Sequence, residues 1–210
     1  HTLEAYLKVV HKAVQLGFKI VSYQILGLPN ESLESMIQTL AFNTRLPLLL
    51  GASPFYRTPA SPIAHGLDFT KEDFVKARLT AMAIETDQFR REDIYSLFIA
   101  TRIINFLKGL RLSASTDLDA LIDRSWPEDR TRIGFELLRL LRETNRLYFW
   151  TTKGLRENEK FKPEIFFRVL QQAGTIGCQN GRSIAVGDLS GLQADQKDSE
   201  ARRAHSAYGG

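Results

Sequence analysis

The chain has 210 residues, of which 43% are hydrophobic and 25% are charged, enough for one large domain or a domain with an appendage. Its net charge of +4 is weak evidence for an anionic ligand, and the spread of Lys and Arg along the chain argues against clear nucleic-acid binding. The one cysteine, Cys178, excludes an internal disulfide framework and a cysteine-rich metal site. It favours a reducing compartment, so we expect a cytoplasmic protein. No apolar run approaches the roughly 20 residues of a membrane span, so we expect no membrane partner.

The first third of the chain alternates helices with buried strands. Apolar residues recur at helical spacing before and between two short runs that are nearly continuously apolar. A strand, a helix and a second strand in sequence predict a parallel pair with a right-handed crossover. The predicted elements are a helix over 2–16 capped by Thr2, a strand over 18–26, a helix over 31–44 capped by Asn30, and a strand over 48–53.

Two parallel strands do not complete a sheet. They leave edges and faces that other elements must cover, and the first helix needs a preceding strand from which to return. The sequence also begins with His1 rather than Met. We therefore expect that more of the same sheet precedes His1 and that the chain is a fragment whose partner is its own N-terminal part.

The rest of the chain reads as a proline-rich loop followed by helices. The loop over 53–66 contains Pro54, Pro59 and Pro62, and an Asn180-Gly181 pair predicts a hairpin within 175–186. We expect three regions: an α/β part over 1–69, a helical part over 70–187, and a disordered tail over 188–210. The predicted later elements are helices from Thr70, over 92–108, 115–123, 128–145 and 163–173, with a strand or helix end at 147–150.

Two turns are the best candidates for chemistry. Gly27 to Glu31 follows the first strand, and its backbone amides could meet a nucleotide-like ligand, although a well-made turn and helix cap explains the same residues. Gly51 to Ser53 ends the second strand with small residues that admit a flat ligand, or with an ordinary strand-to-loop junction.

Other reactive side chains give weaker signals. Tyr56, Arg57 and His65 could face the same crevice, where Arg57 could hold a carboxylate or phosphate. Cys178 lacks an evident base or metal partner in the sequence and reads as a structural thiol.

The two turns together resemble a known family. The run Ile25-Leu26-Gly27-Leu28-Pro29-Asn30-Glu31, with Gly51-Ala52-Ser53-Pro54-Phe55-Tyr56 and Thr58-Pro59-Ala60-Ser61-Pro62, is similar to the C-terminal half of a radical S-adenosylmethionine (SAM) core. The similarity is greatest to the branch that often carries an N-terminal cobalamin-binding domain. It covers about the first 66 residues. The implied fold is α/β: the last two parallel strands of an incomplete (β/α)6 TIM-like barrel, followed by a mostly α-helical appendage.

The resemblance also implies an activity and its cofactors. Such enzymes reductively cleave S-adenosylmethionine at a 4Fe-4S cluster, and the resulting 5′-deoxyadenosyl radical abstracts hydrogen from a substrate, here of unknown identity. The match implies that Ile25 and Gly27 lie near the adenine, that Glu31 braces the turn, and that Ser53 and Pro54 lie at the edge of the SAM pocket. The cluster ligands, and cobalamin if it is used, would lie outside these 210 residues.

The sequence departs from the family in two places. It has Thr58-Pro59-Ala60 where a glycine often follows the proline, and it lacks the CxxxCxxC cluster motif. Two other interpretations stay open: a non-catalytic module, degenerate or helical, on an α/β platform, and a TIM-barrel enzyme that binds phosphate at the helix start near Asn30.

Overall fold

The structure is a computed structural model that describes residues 2–55, 70–72, 84–109, 130–178 and 183–186. Within these ranges the fold is mixed α/β, as predicted, and the strands form three two-stranded sheets rather than a closed barrel. The elements are α1 (Leu3–Gln15), β1 (Val21–Leu26), α2 (Leu33–Thr44), β2 (Leu49–Pro54), α3 (Arg91–Gly109), α4 (Arg130–Thr144), β3 (Tyr148–Thr151), β4 (Gly154–Glu157), α5 (Pro163–Ala173), β5 (Thr175–Gly177) and β6 (Ser183–Ala185).

The chain divides into two compact units. The first comprises His1–Leu110 and Lys160–Ile184, and the second comprises Arg111–Glu159 and Ala185–Gly210. The first unit therefore joins the N-terminal strands to α3 and α5, which are distant in sequence. The predictions for Tyr56, Arg57 and His65, for the Asn180-Gly181 turn and for the tail after Asp188 concern residues outside the described ranges, as does the helix predicted over 115–123.

The parallel pair predicted from the sequence is confirmed. Strands β1 and β2 run parallel, in a register that sets Val21 beside Leu49 and Leu26 beside Pro54. The even-numbered residues of β1 face inward, where Leu26 is fully buried. The expectation of a buried strand holds for one face of β1 only and is wrong for the other, because the odd-numbered side chains are exposed.

Helix α2 begins later than the sequence indicated. The predicted cap at Asn30 is wrong: Ser32 is the N-cap, and it exchanges side-chain and backbone hydrogen bonds with Ser35 in a capping box. Asn30 and Glu31 instead belong to the turn between β1 and α2. Helices α1 and α5 agree closely with the prediction, with Thr2 capping α1 and Gly174 ending α5 at a φ of 69°.

A side chain bonds to the outer edge of β2 at Leu50. The amide of Asn105, on α3, accepts a hydrogen bond from Leu50 N at 2.8 Å and donates one to Leu50 O at 2.7 Å. These are the two bonds that another strand would have supplied. Four residues on, Pro54 has no N–H to satisfy. The amide of Asn105 thus substitutes for a neighbouring strand.

A buried lysine joins three elements of the first unit. Lys108, near the end of α3, is 1% exposed, and its Nζ, with three N–H donors, lies within hydrogen-bond distance of four backbone carbonyls: Asn43 O at 3.3 Å, Thr44 O at 2.8 Å, Leu46 O at 2.8 Å and Gly177 O at 3.0 Å. The first three belong to the C-terminal end of α2 and the residues after it, where carbonyls lack intrahelical partners and favour a cation. Burial lowers the pKa of Lys108 to about 7, which the nearby Cys178 partly offsets.

The second unit holds a helix and a hairpin. Helix α4 is followed by β3 and β4, which pair antiparallel through Phe149 with Arg156 and Trp150 with Leu155. The sequence indicated a strand or helix end at 147–150 but not its partner β4. The turn between them ends at Gly154, whose φ is 102°.

The stability of the first unit should depend on pH through Lys108. Its pKa falls from 10.5 in the unfolded chain to about 7 in the folded protein, so above pH 7 the unfolded state binds more protons. The free energy of unfolding should therefore rise from pH 7 to about pH 8.5, by at most about 1.4 kcal/mol per pH unit.

Urea unfolding followed by circular dichroism measures this slope. Lys108→Met keeps a long apolar side chain but does not titrate, so the variant should lose the rise. The window stops below the range of Cys178, whose pKa burial raises from 9.0, because its titration would oppose the rise at higher pH. Equal slopes in the two proteins would contradict the assignment.

Candidate functional site

The candidate site lies at the C-terminal ends of β1 and β2. Because the strands are parallel, Ile25 pairs with Ser53 and Leu26 pairs with Pro54 at one end of the sheet. The structure therefore brings Ile25, Gly27, Ser53 and Pro54 to the same end of neighbouring strands. In α/β proteins this end of the strands is where ligands bind.

One face of the pair is apolar and open. On β1, Val21 is 46% exposed, Tyr23 is 80% exposed and Ile25 is 55% exposed. Their register partners on β2 are Leu49, Gly51 and Ser53, which are partly exposed. We call these six residues the open face. Three exposed apolar side chains on one face of a strand are unusual for a solvent-exposed surface, and they mark a place where a ligand or another element binds.

Gly51 allows an aromatic ring to lie on β2. A Cβ at Gly51 would stand 2.8 Å from Cδ1 of Tyr23, so the ring occupies the space that a side chain would take. Tyr23 was not among the residues singled out from the sequence, because an aromatic residue in an apolar strand reads as core. Its pairing with a glycine on the next strand is the signal that distinguishes it.

The turn after β1 depends on glycine. Gly27 has a φ of 85°, which residues with a Cβ rarely adopt. A Cβ there would also lie 3.0 Å from Cδ1 of Ile94, and Phe89 is next to it. The close approach at Gly27 is therefore to side chains of the protein. This differs from the sequence-based hypothesis, in which the glycine admits the ligand.

Glu31 holds the same turn from the other side. Its Oε2 accepts hydrogen bonds from Gly27 N at 2.9 Å and Leu28 N at 3.1 Å. The amides of the turn are thus already satisfied by a carboxylate. This differs from the hypothesis that these amides meet a nucleotide-like ligand directly, since an anion there would have to displace Glu31.

The predicted site residues accordingly separate into three groups. Ile25 and Ser53 lie on the open face, Gly27 and Glu31 form the turn beyond it, and Pro54 is buried on the opposite face.

The outer edge of β1 is unpaired within the described residues. Leu49 N donates to Ile20 O and Phe55 N donates to Leu26 O, so the even-numbered residues of β1 bond to β2. By the alternation of a parallel ladder, the backbone groups of Val21, Tyr23 and Ile25 point away from β2. Among the strands that the structure describes, none pairs with this edge of β1. The open face and the open edge thus belong to the same three residues.

A buried polar atom beside this edge also lacks a partner. Gln24 is 6% exposed, and its Nε2 donates to Ser22 Oγ at 2.9 Å. Its Oε1 has no hydrogen-bond partner in the part of the chain that the structure describes. Buried side-chain oxygens are usually paired, so this one marks a position where a donor is missing.

The described residues offer no metal site. They contain no group of three or more His, Cys, Asp or Glu side chains that could hold an ion, and the whole sequence has one cysteine. A cluster held by three cysteines does not fit these residues. On the open face, Ile25 supplies exposed apolar surface beside the small side chain of Ser53.

Comparisons with known proteins identify no relative: no protein-family model, no curated protein and no solved structure matches the chain. Of the helices that the structure describes, none has the length and apolar character needed to cross a membrane.

Removing the Glu31 carboxylate should loosen the turn. Glu31→Ala leaves two amides without their acceptor and should lower the free energy of unfolding by about 2 kcal/mol, while Glu31→Gln keeps one oxygen and should lose about half as much. The control is Glu4→Ala, because Glu4 pairs with Lys8 on the exposed surface of α1, where the loss should stay below about 0.5 kcal/mol. Urea titration measures all three, and a Glu31→Ala loss no larger than the control would show that the carboxylate does not hold the turn.

A methyl group at Gly27 should be costly for two separable reasons. Gly27→Ala should destabilise the fold by about 1–3 kcal/mol through its φ and its contact with Ile94 Cδ1. Adding Ile94→Val removes that carbon, so the double variant should lose less than the sum of the two single losses. Additive losses in thermal unfolding would mean that the packing contact does not matter.

Proposed function

We propose that this chain is part of a radical SAM enzyme and that β1 and β2 are the last two strands of its incomplete (β/α)6 barrel. The whole enzyme would cleave S-adenosylmethionine reductively at a 4Fe-4S cluster, and the 5′-deoxyadenosyl radical would abstract hydrogen from a substrate. The contribution of this chain is the adenine-side wall of the SAM pocket.

The observation that carries the proposal is that the parallel pair β1 and β2 is covered on one face and at one edge only. The even-numbered side chains of β1 are covered, and Asn105 bonds to Leu50 at the outer edge of β2, but none of the described elements covers the open face or the outer edge of β1. An incomplete barrel that ends at β2 accounts for both features at once, since it places one face of every strand in its interior and a further strand beside the outer edge of β1.

The residues of this wall have separate roles in the proposal. Ile25 packs its side chain against the adenine, and Ser53 leaves room for the ring beside it. Gly27 and Glu31 do not touch the ligand; they fix the turn that ends β1 and so determine where Ile25 stands. Pro54 lies on the covered face and keeps β2 in place.

The cluster belongs to another segment. With a single cysteine, this chain supplies no CxxxCxxC motif, so the cluster ligands lie elsewhere in the enzyme. When bound, the cluster supplies the electron that cleaves SAM. Any cobalamin-binding domain would likewise lie outside these residues, and the substrate is a small molecule or another group not specified by this chain.

The turn geometry gives less support to a phosphate-binding enzyme. The amides of Gly27 and Leu28 donate to Glu31, and the amide of Ser35 in the first turn of α2 donates to Ser32. An anion at this position would meet a carboxylate rather than free amides. The radical SAM proposal needs no anion there.

The proposal is tested first on the gene. The sequence upstream of His1 should encode a strand followed by three cysteines in CxxxCxxC spacing. After anaerobic reconstitution, the longer polypeptide should bind stoichiometric iron and cleave SAM, and the 210-residue chain alone should do neither. An upstream sequence without the cysteines, or cluster assembly by this chain alone, would overturn the proposal.

The role of Ile25 is tested in the longer polypeptide. Ile25→Asp should weaken SAM binding at least about tenfold, since a charge would replace apolar contact with the adenine. Val21→Asp is the matched control, because Val21 lies on the same face at the other end of β1 with similar exposure. Equal effects of the two variants on the SAM dissociation constant would contradict the adenine assignment.

A further inference from the structure

The hairpin of β3 and β4 carries an unusual combination of exposed side chains. Phe149 is 42% exposed, Trp150 is 54% exposed and Leu155 is 41% exposed. Successive residues of a strand point to opposite faces, so Phe149 and Trp150 project from the two sides of the hairpin. Two neighbouring aromatic rings are thus accessible from opposite sides.

The same region carries the net charge of the chain. Residues 130–157 contain seven Arg and Lys residues and three Glu residues, a net charge of +4. The remaining residues contain 21 basic and 21 acidic side chains. The basic residues are spread along the chain, but the segment formed by α4 and the hairpin accounts for its whole net charge.

Part of this charge is free to meet a ligand. Each of the three glutamates forms an ion pair with an arginine: Glu136 with Arg132, Glu143 with Arg139, and Glu157 with Arg146. Within the described residues no ion pair involves Arg142, Lys153 or Arg156. Lys153 is exposed in the turn, and Arg156 is exposed directly opposite Phe149. The hairpin therefore carries cations close to its accessible rings.

We propose that the β3–β4 hairpin and the end of α4 bind single-stranded nucleic acid. Exposed rings stack on unpaired bases, whatever the base, while nearby cations contact the phosphates. Phe149 and Trp150 would supply the stacking surfaces, and Arg142, Lys153 and Arg156 would supply the phosphate contacts. A site of this kind is independent of the SAM pocket proposed for the first unit.

The hairpin is less well suited to a membrane. A hairpin that inserts into lipid leads with apolar side chains, whereas the turn here consists of Thr151, Thr152, Lys153 and Gly154. The rings lie behind this polar tip rather than on it. A flexible polyanion can wrap around both faces of the hairpin, which a flat bilayer surface does not do.

Fluorescence anisotropy with a labelled uridine or thymidine oligonucleotide of about twelve nucleotides tests the proposal on the 210-residue chain. At about 50 mM salt we expect a dissociation constant of about 10 μM or tighter. Three phosphate contacts predict a slope of log K against log salt near −2, and Arg156→Ala should reduce its magnitude by about 0.7. Phe149→Ala and Trp150→Leu should each weaken binding about 5-fold to 100-fold.

Matched controls separate a specific surface from general charge. Lys12→Ala removes an exposed cation from α1, and Phe18→Ala removes a ring that is 65% exposed, so neither should change the affinity. Circular dichroism of each variant should match the parent spectrum. The proposal would be overturned by absence of binding up to about 100 μM, by equal effects of hairpin and control variants, or by binding to phosphatidylserine vesicles but not to the oligonucleotides.

Discussion

The described part of the first unit depends on how the backbone groups at the edges of a two-stranded sheet are satisfied. Each strand has one row of N–H and C=O groups that its partner does not reach. On β2 the amide of Asn105 bonds both groups of Leu50, so the strand ends against α3 rather than against another strand. On β1 no described element does the same for Val21, Tyr23 and Ile25. The asymmetry between the two edges is the basis of the functional proposal.

Lys108 maintains the covered side of this arrangement. Its four carbonyl partners tie α3 to the end of α2 and to β5. The chain also passes very close to itself there, because a Cβ on Gly177 would lie 2.3 Å from Arg45 O. Asn105 and Lys108 come from the last turns of the same helix. Helix α3 therefore both closes the edge of β2 and anchors the helix that connects β1 to β2.

Local sequence patterns predicted the elements better than they predicted what each element faces. The parallel order, the cap of α1 at Thr2 and the end of α5 at Gly174 follow from spacing and from turn residues close in sequence. The start of α2 was misplaced because Asn30 and Ser32 are both good caps, and only the Ser32–Ser35 pair forms a capping box. Strand β4 was missed because Gly-Leu-Arg-Glu has no apolar alternation.

For the candidate site, the sequence indicated which residues share a strand end. It did not indicate that Ile94 fills the space beside Gly27, because that contact joins residues far apart in the chain.

Amide hydrogen exchange of β1 in the 210-residue chain tests the central claim most directly. The amides of Ser22, Gln24 and Leu26 bond to β2 and should exchange slowly, whereas those of Val21, Tyr23 and Ile25 should exchange much faster, because they face the open edge. In a longer polypeptide that supplies the adjoining strand, the fast set should become as protected as the slow set. Uniform protection along β1 in this chain would show that the edge is already covered, and the account of an unfinished barrel wall would then be wrong.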